Sequence, residues 1–204
     1  MTYTREEDQK FERDWWGDCA NTFGEESKQI SYAHRMGLQI VPTYTGAWPA
    51  YDLGGKSVLD LGGGPTSMLL KCFNLGHAMV VDPCGYPDWV YRRYDAHGVE
   101  YASENAEDFS IFTEEVEGEY PFDEAWFYNV LQHTEHAREI VEVAKSHARV
   151  VRCFEWIDTE RTLGHPTVLT QHDLNEWLGT VGTIENINEN GCYGTCYYAV
   201  AVSP

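Results

Sequence analysis

From residue 57 onward, short apolar runs alternate with amphipathic stretches. The runs "SVLDL", "HAMVVDP", "VEYAS", "FDEAWFYNVL" and "RVVRCFEWI" predict five buried strands. Between them, Met68 to Asn74, "DWVYRRYDAH", "TEHAREIVEVAKSHA" and "TQHDLNEWLG" predict helices. In the third of these, Thr134 stands as the cap, and Ala137, Ile140, Val141 and Ala144 form the apolar stripe. Gly179 ends the fourth. The closing segments "GTIENINEN" and "CYGTCYYAVAV" have no helix between them, so they predict an antiparallel hairpin through the turn "ENGCYG". Strands alternating with helices predict an α/β fold: a mostly parallel sheet with helices on both faces.

The first fifty residues read differently. A helix is expected around Glu6 to Trp15. A second begins at Thr22, where Glu25 three residues on completes a capping-box pattern, and ends near Gly37. Ile30, Ala33 and Met36 fall on one face of it. "VPTYTGAWPAYDLGG" then reads as a loop. Residues 1–50 thus form a helical extension, a cap or lid, ahead of a main domain at 51–204.

Composition narrows the function. Lys and Arg number 14 against 33 Asp and Glu, a formal net charge of −19. A nucleic-acid binder draws most of its affinity from neutralising phosphates, so this balance argues against one. A polyanionic substrate is disfavoured too, although a local basic patch at Arg92-Arg93 is compatible with this balance. The charged start "MTYTREEDQKFERDWW" has no apolar signal core, and no apolar run reaches membrane-spanning length. A cytoplasmic protein is the expectation. The six cysteines have no zinc-ligand spacing and read as buried free thiols, with Cys192 and Cys196 on one side of a strand.

The chemistry gathers around "SVLDLGGGPTSMLL", residues 57–70. A strand running into a glycine turn brings free amides to the C-terminal edge of the sheet, where open α/β sheets bind ligands. Gly62 and Gly64 allow close approach to the backbone. The dinucleotide fingerprint G-x-G-x-x-G would need glycine where Ser67 stands, and no Gly-Lys-Ser/Thr follows to make a phosphate loop. Twenty residues after Gly62, Asp82 ends the second strand, where a carboxylate reaches ribose hydroxyls; a strand-end turn before Pro83 is its plain structural alternative.

The pattern Asp60-x-Gly62-x-Gly64-x-Thr66 closely resembles motif I of class I S-adenosylmethionine-dependent methyltransferases, with Thr66 in place of the last glycine. "SENAEDF" resembles the family's adenine-side segment, with Asn105 for the usual aspartate, and "FDEAWFYNVLQHTEH" resembles the segment after its fourth strand. In segments, the resemblance spans residues 55 to 202. It implies a Rossmann-like seven-stranded sheet and S-adenosylmethionine as cofactor. Gly62, Gly63, Gly64 and Ser67 would wrap the amino-acid part, and Asp60 would balance its positive groups. Asp82 would take the ribose, Pro83 the edge of the adenine, and Asn105 with the Ala106 amide its polar face. Asn129 would adjoin the methionine part, and His133 would stand over the transfer site.

Transfer of a methyl group asks mostly for positioning, and for a base when the acceptor is an oxygen or a protonated amine. His133 is the best candidate, since imidazole titrates near neutrality; a cap or a loop hydrogen bond is its structural alternative. Glu135, His136 and His34 are weaker candidates, and Glu155, at the end of the fifth strand, could line the substrate pocket. Trp15 or Trp16 could close a lid or simply pack in the core. His165 and His172 fit no metal motif. The reading is a methyltransferase for an O or N nucleophile on a small molecule. A non-catalytic cofactor-binding regulator and a nicotinamide-dependent oxidoreductase are the alternatives.

Overall fold

The computed structural model describes residues 4–41, 49–110 and 120–203. Helix α1 spans Arg5–Trp16 and α2 Phe23–Arg35. Strands β1 (Ile40–Val41) and β2 (Ala50–Asp52) precede β3 (Val58–Leu61). Then follow β4 (Cys72–Phe73), β5 (Ala78–Val81), α3 (Asp88–Ala96), β6 (Glu100–Ala102) and β7 (Phe122–Tyr128). The chain ends with α4 (Ala137–His147), β8 (Ala148–Trp156), α5 (Gln171–Leu178), β9 (Thr183–Glu189) and β10 (Cys192–Val202).

Seven strands form one sheet in the order β6-β5-β3-β7-β8-β10-β9. The first five run parallel, and β10 lies antiparallel to both β8 and β9. The chain winds outward from β3 through β5 to β6, then returns to place β7 on the other side. The switch point therefore lies between the C-terminal ends of β3 and β7. Both faces are covered, as a near-continuous apolar strand requires. Val58, Val80, Trp126, Tyr128 and Phe154 pack with Tyr32 and Met36 of α2 and Val90 and Tyr94 of α3. Their neighbours Leu59, Val81, Ala125, Phe127 and Cys153 turn to the other face, under Ile140 and Val141 of α4 and Leu174 of α5. Arg35 ties α2 to the sheet edge through Glu185 and Glu189 of β9. No helix among the described residues is long and apolar enough to cross a membrane.

Four local expectations are corrected. Met68 to Asn74 is not an α-helix: Gly64–Thr66 and Met68–Lys71 make two 3₁₀ turns, and the chain then enters β4. Extended Ser67 (ψ 146°) interrupts the helical path, and the amides of Met68 and Leu69 find side-chain acceptors, Tyr128 Oη and Ser67 Oγ, instead of backbone carbonyls. Thr134 does not cap α4. A 3₁₀ turn at Leu131–His133 leaves Thr134 extended, its Oγ1 accepting from the His136 amide, and α4 starts only at Ala137. Thr22 makes no side-chain cap; its hydroxyl donates to Glu26 Oε1 at 2.6 Å, while Glu25 pairs with Lys28. The capping box at this end of the chain belongs to Thr4 and Glu7 of α1. Finally, the loop expected at 41–55 contains β2, which pairs with β1 and β4 in a small second sheet; its residues 42–48 lie outside the described residues.

Candidate active site

The three glycines have three different reasons. Gly62 and Gly64 adopt left-handed backbone angles (φ 75° and 62°). At Gly62 a Cβ would fall 2.0 Å from Val130 Cγ2, so the turn after β3 and the turn after β7 touch there. At Gly63 it would fall 2.6 Å from Asp60 Oδ2. Gly64 alone has room: its nearest neighbours would be Trp16 Cζ2 at 3.7 Å and Tyr86 Oη at 3.9 Å. Bare backbone is thus needed for packing at two positions, while at the third a Cβ would meet only ordinary contacts and the left-handed angle is what favours glycine.

Asp60 is fully buried beneath this turn. Its Oδ2 accepts from the Ser67 hydroxyl and, at 2.7 Å, from the Tyr128 hydroxyl, while Oδ1 meets no donor. Burial pushes its pKa up to about 7, against the two hydroxyl donors and with Asp82 adding to the rise. The Tyr94 hydroxyl closes the other side, donating to the Gly64 carbonyl and accepting from the Ser67 amide. Asp60 and Ser67 therefore hold the turn in shape from below.

Asp82 ends β5, and its two oxygens accept three bonds. The Gly64 amide donates to Oδ2 at 3.0 Å; the Cys84 amide (2.9 Å) and Tyr86 hydroxyl (3.1 Å) donate to Oδ1. Burial raises its pKa to about 6, less than it would without those donors. Asn105 follows β6; its Oδ1 accepts from Gln9 of α1 and its Nδ2 donates to Asp108. Asn129, left-handed at φ 56°, follows β7, and its Oδ1 accepts from Gln132. The turn after it hangs on Glu155 at the end of β8, whose carboxylate accepts from the amides of Val130 and Leu131. Burial raises Glu155 to about 8 despite those bonds.

Helix α1 lies across these strand ends. Arg5 pairs with Glu107, Gln9 reaches Asn105, Asp8 accepts from the Gly164 amide at 2.9 Å, and Glu12 Oε1 stands 2.8 Å from His133 Nδ1. Burial lowers the His133 pKa, but the Glu12 carboxylate outweighs it and leaves the imidazole above its usual value. His133 Nε2 faces the Gln132 amide at 3.4 Å, and its ring lies 4.5 Å from that of His165.

A cavity of about 570 Å³ runs beneath α1, within the range of roughly 300–1,000 Å³ typical of small-molecule sites. Of the residues singled out in the sequence, Gly62, Gly63, Gly64, Asp82, Pro83, Asn105, Ala106, Asn129 and His133 line it; Asp60 and Ser67 do not. These two stand behind the wall: the Ser67 hydroxyl donates to Asp60 Oδ2, and Asp60 Oδ1 meets no donor among the described residues. Trp15, Trp16, Glu135, His136 and His165 also line the cavity, whereas His34, Glu155 and the exposed His172 do not. Sequence reasoning missed Asp8, Gln9, Glu12, Tyr86, Tyr94 and Tyr128. Only the capping-box start of α1 and the spacing of Asp8 and Glu12, one turn apart, signalled any of them.

No protein-family model matches the sequence, and no curated protein is significantly similar to it. Solved structures are similar in fold. A chain from the complex between the Haloferax volcanii Trm112 methyltransferase activator and a methyltransferase superposes with a TM-score of 0.64 at 14% identity, over 94% of this chain and 97% of that one. The N-methyltransferase NodS of Bradyrhizobium japonicum, bound to S-adenosylhomocysteine, gives 0.58 at 14%, over 87% and 88%. The magnesium protoporphyrin IX methyltransferase of Synechocystis, bound to S-adenosylmethionine, gives 0.57 at 16%, over 95% and 97%. The fold is that of class I S-adenosylmethionine-dependent methyltransferases.

Proposed function

We propose that this chain is an S-adenosylmethionine-dependent methyltransferase acting on an oxygen or nitrogen nucleophile of a small molecule. One observation carries the reading: the turns after β3, β5, β6 and β7, each with its motif residue, open into a single cavity at the switch point. The lining suits the cofactor. Gly64 leaves room above its backbone, and among the described residues the buried hydroxyls of Tyr32 and Thr66 in the wall meet no well-formed hydrogen-bond partner. Such groups ask for a polar ligand or water. Asp82 carries three donors against a carboxylate capacity of about four, so it still accepts a ribose hydroxyl.

Gly62, Gly63, Gly64 and Asn129 would hold the methionine part, Asp82 the ribose, Pro83 the edge of the adenine, and Asn105 with the Ala106 amide its polar face. Asp60 and Ser67 keep the glycine turn in the shape this requires. S-adenosylmethionine supplies, when bound, a methyl group made electrophilic by its sulfonium. The chain orients the acceptor and moves its proton. Glu12 beside Nδ1 favours the tautomer with the proton there, leaving His133 Nε2 as the basic atom. Residues 1–50 act as the cap over the main domain 51–204, with α1 excluding water and Trp16 lying over Gly64. The acidic surface favours a small acceptor over a nucleic acid.

Titration calorimetry tests the reading. S-adenosylhomocysteine should bind with a micromolar or tighter Kd, about −8 kcal/mol, and NAD should give no heat. No binding of the adenosyl ligand would overturn the proposal. Binding without turnover on any small-molecule acceptor would favour the regulatory reading.

A further inference from the structure

The Asp8 carboxylate is only 3% exposed, yet half of it is idle. Its Oδ1 accepts from the Gly164 amide, while Oδ2 is buried in the cavity wall and meets no donor among the described residues. One turn along α1, Glu12 faces the same place: its Oε1 would lie 3.3 Å from a Cβ on Gly164. The two carboxylates thus converge on one glycine, next to His133 and His165.

The charge there is not balanced from within. Among the described residues lining the cavity, Arg5 is paired with Glu107 and Lys28 with Glu25. His133 attends Glu12, and no cation attends Asp8. A buried carboxylate oxygen without a donor is costly to keep, and a ligand that brings a cationic donor removes the cost. Phe11 packs against Gly164 and, with Trp15 and Trp16, adds aromatic surface to the same wall, which favours a cation on an apolar body.

We propose that Asp8 and Glu12 form the acceptor subsite, and that they recognise the ammonium group of a primary amine carried on an aromatic or apolar body. This rests on the methyltransferase reading above and narrows its acceptor from oxygen or nitrogen to an amine. The ammonium would donate to Asp8 Oδ2 and share Glu12 with His133, the group placed to take its proton. A neutral alcohol of the same shape leaves Asp8 without its cation, and a site built around a buried polar group discriminates strongly against such analogues.

The test uses the full chain near pH 7.5, with phenethylamine as probe and 2-phenylethanol as its neutral counterpart. Calorimetry is run with and without saturating S-adenosylhomocysteine. The expected result is binding of the amine at least tenfold tighter than the alcohol. Asp8→Asn, which keeps the oxygen facing Gly164, should weaken the amine at least tenfold and leave S-adenosylhomocysteine within twofold. Asp14→Asn, the same change of charge at an exposed position on α1, should alter neither. Should Asp8→Asn fail to fold, Glu12→Gln carries the same expectation. Equal binding of amine and alcohol, an unchanged amine affinity in the variants, or loss of the adenosyl ligand in Asp8→Asn would each overturn the subsite. Failure of S-adenosylhomocysteine to bind wild-type protein sinks the cofactor reading instead, and the amine arm without it still decides the subsite.

Discussion

At the scale of single residues, the carboxylates under and around the glycine turn govern what can be measured. Asp60 is held near pKa 7 and Asp82 near 6, both raised mainly by burial. A raised carboxylate binds its proton more tightly folded than unfolded. Its stabilising contribution is complete below the unfolded value near about 4 and is lost as pH rises through the folded value. Thermal unfolding should therefore show stability falling between about pH 4 and 7, and Asp60→Asn should flatten that slope. An unaltered slope would remove Asp60 as its source. Asp82→Ala should weaken S-adenosylhomocysteine at least tenfold by calorimetry, because it removes the proposed ribose acceptor and frees the Gly64 amide. For His133→Ala the expectation is retained cofactor affinity and lost turnover; lost affinity would make it a binding residue. Asp82 and His133 stood out in the sequence because strand-end position and motif spacing mark them. Asp8 did not, since its idle oxygen exists only once α1 has met Gly164 across the fold.

At the scale of elements, two turns set the site and each depends on a buried support. Gly62 packs on Val130, so Gly62→Ala should push the turns after β3 and β7 apart and lower Tm by several degrees, read by circular dichroism; an unchanged Tm would contradict the contact. The strands, α3, α5 and the closing hairpin were legible because their periodicity agrees with their burial. The segment after the glycines was not. Its apolar residues suit a helix, but Ser67 and Tyr128 capture its amides and turn it into 3₁₀ structure. Thr22 misled for a similar reason: a capping-box spelling does not fix which partner the hydroxyl selects, and Glu26 wins. The tyrosine hydroxyls that clamp the turn come from α3 and β7, far away in sequence, and no local pattern reveals them.

At the scale of the whole molecule, the mostly parallel sheet with its antiparallel closing hairpin was implied by alternation and by the missing last helix, whereas the small sheet of β1, β2 and β4 was not, because two- and three-residue strands carry no period. The charge of −19 acts on the entire fold. Self-repulsion destabilises a compact acidic chain, and salt screens it. Tm should rise between low salt and about 0.15 M; a flat response would mean the acids are already balanced locally. A ligand specific for the folded state adds about 2.7 kcal/mol at a hundredfold excess over its Kd, so S-adenosylhomocysteine should raise Tm further.

Trp16 stands over Gly64, the glycine of the turn with room for a side chain, while its neighbour Trp15 is 65% exposed. The pair forms an optical gauge built into the chain. An indole beside an adenosyl group and one beside water differ in emission, and the more exposed Trp15 adds a water-like component to the signal. Replacing Trp15 with phenylalanine should leave a smaller, bluer fluorescence signal that changes as ligand is added, so occupancy of the cleft can be followed in stopped flow without any label.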